Sequence, residues 1–167
     1  YGKYTPMTLE DFFLLLKDYP DAYVLIDSKQ YSLRNYQRIL EDYSDYVEIA
    51  RNAGAGETLD RIIPEIYNEA MFPGTAMLYS FPSYVYSLWQ EYSVEELEYI
   101  ASFCKEKGIP AATVYWEYWS EETEKIFEKN GISLYVYTVN DRDQARRYIS
   151  QGAEGICTDF LTAEDLW

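Results

Sequence analysis

The chain has 167 residues, enough for one domain with a sizeable core, and its 48% hydrophobic and 26% charged residues are ordinary for a globular protein. A formal net charge of −15 repels an extended phosphate backbone or an anionic membrane surface, which argues against nucleic acid as a partner. No apolar run approaches the ~20 residues that span a bilayer. The opening Tyr1-Gly-Lys-Tyr-Thr-Pro6 does not read as a signal peptide, and the compartment stays open between cytoplasm and cell surface.

In chain order, Thr8-Leu-Glu-Asp11 is a capping box ahead of Phe12, Leu15 and Leu16, and the predicted helix stops before Pro20. Ala22 to Ile26 is a strand. Leu33 to about Asn52 is helical, with Tyr36, Leu40 and Tyr43 near one face, until Gly54-Ala-Gly56 breaks it. Arg61 to Tyr67 and Tyr84 to Trp89 read as strands, the second after the Phe81-Pro-Ser turn. Ser93-Val-Glu-Glu96 is another capping box; its helix runs through Leu97, Ile100, Ala101 and Cys104 to a left-handed cap at Gly108. A strand from Ile109 to Tyr115 precedes a helix from near Ser120 to Gly131. A further strand spans Ile132 to Val139, and the next helix runs from near Asn140 or Asp141 to Gly152. Ala153 to Asp159 is the last strand, closed by a capped turn at Thr162-Ala-Glu-Asp165.

Helix stops at 108, 131 and 152, each leading straight into a strand, set a repeat of a little over twenty residues, and such short αβ loops favour a parallel sheet. No linker, low-complexity tract or composition shift appears, so residues 1–167 read as a single domain. Six strands in this order fit an open doubly wound sheet or part of an eight-stranded barrel. Gly54-Ala-Gly56 follows a helix rather than a strand, unlike a dinucleotide phosphate loop. Cys104 and Cys157 are too few for a disulfide framework and are expected to be buried free thiols.

The strand Tyr23-Val-Leu-Ile-Asp-Ser-Lys29 ends in Asp27 and Lys29, which a period of two puts on the same face. A carboxylate beside a lysine can hold a divalent cation and a phosphate oxygen together, or it can be an ion pair that ends the strand. Glu65, Tyr67, Trp89 and Gln90 stand at strand ends and can line a pocket, with core packing the competing role for the rings. Trp116, Tyr118 and Trp119 follow a strand and can stack on an apolar or sugar group, or simply cover the rim. Asn140 suits a helix N-cap and Asp159 a brace for the final turn. The sequence contains no histidine.

Leu134-Tyr-Val-Tyr-Thr-Val-Asn-Asp141 and Gly155-Ile-Cys-Thr-Asp159 resemble the last two barrel strands of the glycerophosphodiester phosphodiesterase family. Asp27-Ser-Lys29 resembles the acid-x-Lys pair at the end of that family's third strand, where the acid is usually Glu; Asp is shorter by one C–C bond, about 1.5 Å. Arg61-Ile-Ile-Pro-Glu-Ile-Tyr67 and Tyr86-Ser-Leu-Trp-Gln90 fall where its fourth and fifth strands belong, and Tyr137 replaces its usual pocket Trp. The resemblance implies an α/β fold: a TIM (β/α)8 barrel lacking its first two βα units. It implies Asp27 as a metal ligand, Lys29 as a catalytic residue facing phosphate, and Tyr137 as a ring lining the pocket; with Glu65, Trp89, Gln90 and Trp116, placed by their positions at or after strand ends, Tyr137 makes up the expected substrate-binding residues. The complete domain would hydrolyse a small phosphodiester with Mg2+ or Ca2+. The family's histidines and its Glu-x-Asp pair have no counterpart in these residues, so the chain alone is expected to be inactive, and its open strand edges invite self-association. Two other readings stand beside this one: a non-catalytic module binding a glycan through Trp116 and Trp119, and an open flavodoxin-like sheet.

Overall fold

The computed structural model describes residues 5–27 and 36–166. The chain forms two compact units, Tyr1–Ser83 and Tyr84–Trp167, in which parallel strands alternate with helices.

In the first unit, helix α1 (Leu9–Lys17) begins where Thr8 Oγ1 accepts the amide of Asp11 at 3.1 Å, satisfying one donor of the first turn. Its other end is held from a distance. The Arg61 guanidinium donates to the carbonyls of Leu16 (2.8 Å), Ala22 (3.3 Å) and Tyr19. One cation therefore satisfies the last turn of α1 and fixes the entry to strand β1 (Val24–Ile26). Helix α2 (Tyr36–Asn52) places Ile39, Tyr43, Val47 and Ala50 along one buried face. The Tyr43 hydroxyl donates to the carbonyl of Ile26 at 3.3 Å, tying α2 to β1. After α2, Gly54 takes a φ of +68°, which a residue with a Cβ adopts only under strain. A 3-10 helix (Gly56–Arg61) then feeds strand β2 (Ile62–Ile66), parallel to β1 with Val24 opposite Ile62 and Ile26 opposite Pro64.

Helix α3 (Met71–Leu78) was not expected, because Pro73 and Gly74 disguise it. Pro73 sits in the first turn, where its missing N–H costs no hydrogen bond.

In the second unit, strands β3 (Val85–Leu88), β4 (Ala111–Tyr115), β5 (Ser133–Tyr137) and β6 (Gly155–Ile156) lie parallel in chain order. The last is much shorter than the expected Ala153–Asp159. Pairing continues a little past it, where the Cys157 amide donates to Val136 at 2.8 Å and the Val139 amide to Cys157 at 3.0 Å. Helix α4 (Val94–Lys107) carries the full capping box: Glu96 accepts the Ser93 amide at 2.7 Å and returns its own amide to Ser93 Oγ at 3.3 Å. Helix α5 (Glu121–Lys129) is capped by Ser120 and helix α6 (Arg142–Ser150) by Asp141. Asn140 is therefore not the N-cap. The short helix α7 (Ala163–Leu166) starts at the expected turn, with the Thr162 amide donating to Asp165 at 2.9 Å.

The sheet of the second unit has two unlike faces. Tyr86 meets Phe103 of α4 edge-on at 6.3 Å, so the face holding Tyr86, Leu88, Ala112, Val114, Leu134 and Val136 is the helix-covered one, and all six are buried. Complete burial of an aliphatic or aromatic side chain here contributes about 1.5–3 kcal/mol. The opposite face carries Ser87, Thr113, Tyr115, Tyr135 and Tyr137. Cys104 is buried on α4, but Cys157 is only half-buried because it lies beyond the end of β6; no disulfide joins them. Among the described residues no helix is long and apolar enough to cross a membrane.

Candidate active site

Polar chemistry in the first unit gathers where β1 and β2 end. The register pairs Ile26 with Pro64, so one step further Asp27 stands beside Glu65, and both project to the same face as Leu25 and Ile63. Tyr67, two residues beyond Glu65, completes the group: its hydroxyl donates to Asp27 Oδ1. Asp27 is exposed, while Glu65 and Tyr67 are only 6% and 4% exposed. Burial is the chief reason that the Tyr67 phenol titrates far above its ordinary range; the hydrogen bond to Asp27 and the charges of Glu65 and Asp27 push it the same way. Tyr67 is thus a neutral donor at any physiological pH. Lys29, the proposed catalytic residue, lies outside the described residues.

Two carboxylates on adjacent strand ends form an acceptor-rich spot suited to a cation or to hydroxyl groups. They do not make a complete metal centre. Among the described residues no group of three or more His, Cys, Asp and Glu side chains comes together to hold an ion. A hard divalent cation takes six or more oxygen ligands, so Asp27 and Glu65 supply too few.

In the second unit the strand ends carry rings instead. Tyr115, at the end of β4, has its centroid 5.6 Å from Trp116, 5.7 Å from Tyr118 and 5.8 Å from Tyr137. Tyr115 and Tyr137 are also register partners across β4 and β5. Trp89 follows β3 on the same face as Ser87 and is 37% exposed. Trp116 and Tyr118 belong to a 3-10 helix (Trp116–Tyr118) that begins as β4 ends. Trp119 turns elsewhere and packs edge-on against Tyr148 of α6 at 5.8 Å. Gln90, with Trp119, Glu91, Glu117 and Glu122, lines a cleft of about 270 Å³ over Leu88 and Val114 on the helix side.

Asn140 and Asp159 serve each other. Asn140 Nδ2 donates to Asp159 at 2.7 Å, while its Oδ1 accepts from the Thr158 hydroxyl and the Asp159 amide, each at 2.9 Å. This pins the chain after β5 to the chain after β6. Gly155 matters for the same reason. A Cβ there would come within 2.7 Å of the Tyr135 ring, so the glycine leaves room for that ring. Sequence reasoning had not singled out Tyr115, although its parity with Thr113 on β4 places it on the face opposite the helix-covered one.

Comparison with known proteins agrees with this architecture. The sequence profile of the Glycerophosphoryl diester phosphodiesterase family matches residues 75–163, just over half of the chain. No curated protein matches it significantly. Among solved structures, one from Silicibacter pomeroyi DSS-3 assigned to the glycerophosphoryl diester phosphodiesterases aligns with a TM-score of 0.69 at 18% identity, covering 91% of this chain and 52% of the other. A glycerophosphodiester phosphodiesterase from Parabacteroides distasonis aligns with a TM-score of 0.62 at 17% identity, covering 90% and 59%. An Oleispira antarctica phosphodiesterase, solved with the product sn-glycerol-3-phosphate, aligns with a TM-score of 0.64 at 10% identity, covering 95% and 57%. The chain therefore spans a little over half the length of these structures. The neighbours are TIM barrels, and the fold here is a partial (β/α)8 barrel, not an open flavodoxin-like sheet. The chain belongs to the glycerophosphoryl diester phosphodiesterase family.

Proposed function

We propose that the complete domain containing this chain hydrolyses small glycerophosphodiesters, releasing an alcohol and a phosphomonoester with the help of Mg2+ or Ca2+. Family membership supports the reaction class, and the product bound to the Oleispira antarctica neighbour supports a glycerol phosphate ligand. The observation that carries the reading is the group formed by Asp27, Glu65 and Tyr67, which collects acidic groups at the ends of consecutive parallel strands. That is where (β/α)8 enzymes keep their chemistry.

In this proposal Asp27 is one carboxylate of a larger ligand set. Tyr67 orients it, so that the shorter acid is held by a hydrogen bond rather than by length. Lys29 faces the phosphoryl oxygens and offsets their developing charge. The 167 residues contain no histidine for proton transfer, and their described portion lacks a full set of metal donors. The 167-residue chain alone is therefore inactive.

The test is turnover of a glycerophosphodiester with Mg2+ or Ca2+, by the full-length domain and by this chain. The full-length domain should release phosphomonoester, lose activity on chelation, and lose about 100-fold or more in kcat on Lys29→Ala. The chain alone should stay at background. Turnover by the 167 residues, or an indifferent Lys29→Ala, would refute the assignment of roles.

A further inference from the structure

We infer that Tyr67 is a positioning residue that sets the metal preference of the site: by engaging Asp27 Oδ1 it presents the carboxylate as a one-oxygen ligand, which favours Mg2+ over Ca2+. The inference rests on the proposed metal-dependent hydrolysis and deepens it by choosing between the two cations. Every residue it uses lies in the first unit.

Asp27 is exposed, so its carboxylate is open to a cation, yet that carboxylate is not free to turn. The backbone before it is fixed by the Tyr43 hydroxyl, which donates to the Ile26 carbonyl at 3.3 Å. The carboxylate itself accepts from the Tyr67 hydroxyl at Oδ1. Tyr67 is 4% exposed, and its amide meets Met71 Sδ at 3.4 Å, at the start of α3. A ring so enclosed does not follow a carboxylate that swings round, so the phenol imposes one orientation on the acid.

Carboxylate oxygen suits a hard cation, and the constraint separates the two candidates. Mg2+ takes a near-ideal octahedron at about 2.0–2.1 Å and keeps several waters beside one or two carboxylates. Ca2+ takes about six to eight oxygens in a flexible shell, and it often grips a carboxylate by both of its oxygens. A two-oxygen grip on Asp27 would have to displace the phenol from Oδ1, at the cost of a charge-assisted hydrogen bond. Ligation through Oδ2 alone leaves that bond intact. The Tyr67 hydroxyl is therefore a brace that selects between ions without touching either.

The experiment is calorimetric titration of the full-length domain, without substrate, with MgCl2 and with CaCl2. Wild type, Tyr67→Phe and Asp27→Glu are compared. Wild type should bind Mg2+ more tightly than Ca2+. Tyr67→Phe keeps the ring and removes only the donor; it should weaken Mg2+ about tenfold, the scale on which outer hydrogen-bond partners tune metal affinity, and leave Ca2+ within about threefold. Asp27→Glu carries the carboxylate one C–C bond, about 1.5 Å, past the brace and should move the ratio the same way, which keeps the test open if Tyr67→Phe fails to fold. No saturable binding of Mg2+, a wild type that prefers Ca2+, an equal loss of both cations, or a ratio unchanged in the variants would overturn the inference. Hydrolysis of a glycerophosphodiester is read separately. An intact Mg2+ preference without turnover strikes the catalytic reading alone, and turnover with an unchanged ratio strikes only the brace.

Discussion

In the first unit the strands end in carboxylates and a buried phenol; in the second they end in half-exposed rings. The secondary-structure alternation is the same, yet β1 and β2 end in acidic and phenolic groups while β3, β4 and β5 end in aromatic rings. The packing differs as well. β1 has three residues, none of them buried, whereas β4 and β5 each bury at least two of five. The family profile begins at residue 75 and so covers nearly all of the second unit and little of the first. The matched range therefore holds the strand-end rings of the second unit, and the acidic group of Asp27 and Glu65 lies outside it.

Five substitutions, three of them ranked by size, probe this contrast. The largest effect should come from Phe127→Ala, which empties a fully buried position in the second unit and should cost about 3–5 kcal/mol. All four tryptophans lie between residues 89 and 167, so urea unfolding followed by tryptophan fluorescence reports the second unit. A loss under about 1 kcal/mol would mean that Phe127 is not in a close-packed core. Phe13→Ala in the first unit, followed by the same signal, then tells whether the two units unfold together.

Gly155→Ala should rank next. Its Cβ would meet the Tyr135 ring at 2.7 Å, an overlap that costs about 1–3 kcal/mol unless the ring moves. Tyr135→Ala in the same chain should recover most of that loss, and no recovery would locate the strain elsewhere.

The smallest effect at neutral pH belongs to Tyr67→Phe, which removes one hydrogen bond to Asp27 and should cost about 1 kcal/mol. Its pH dependence is the sharper readout. The folded phenol titrates above the ordinary 10.0, so below pH 10 it is protonated in both states and its contribution is complete. As pH rises past 10 the unfolded chain ionises first and stability falls. Tyr67→Phe should flatten that fall in urea titrations between neutral and strongly alkaline pH; an unchanged slope would show that other tyrosines carry it.

Much of the fold could be read from local signals. Thr8, Ser93 and Ser120 start helices because their hydroxyls accept first-turn amides, and Gly108, Gly131 and Gly152 follow helices with positive φ. Those are short-range effects, visible within four residues. Helix α3 was hidden because Pro73 and Gly74 weigh against a helix everywhere except at its start. The candidate sites were read unevenly. The Asp27–Tyr67 bond joins residues forty apart and depends on the register of β1 against β2, which no local pattern specifies. Asn140 looked like a cap because it adjoins one, yet its partner Asp159 is reached only through the β5–β6 pairing. Tyr115 was overlooked for a simpler reason: as the last residue of an apolar run, its role depends on which face turns away from the helices.

The grip of Arg61 on three carbonyls has a consequence for how variation in this protein is interpreted. A planar fork with several donors does this; a lysine, with a single point of charge, would let go of part of the turn. Loss of that grip would shift the start of the first strand and with it the carboxylate at its far end. A residue that never meets a ligand thus governs where an acid stands, and a disabling change at position 61 would be mistaken for damage to the catalytic apparatus.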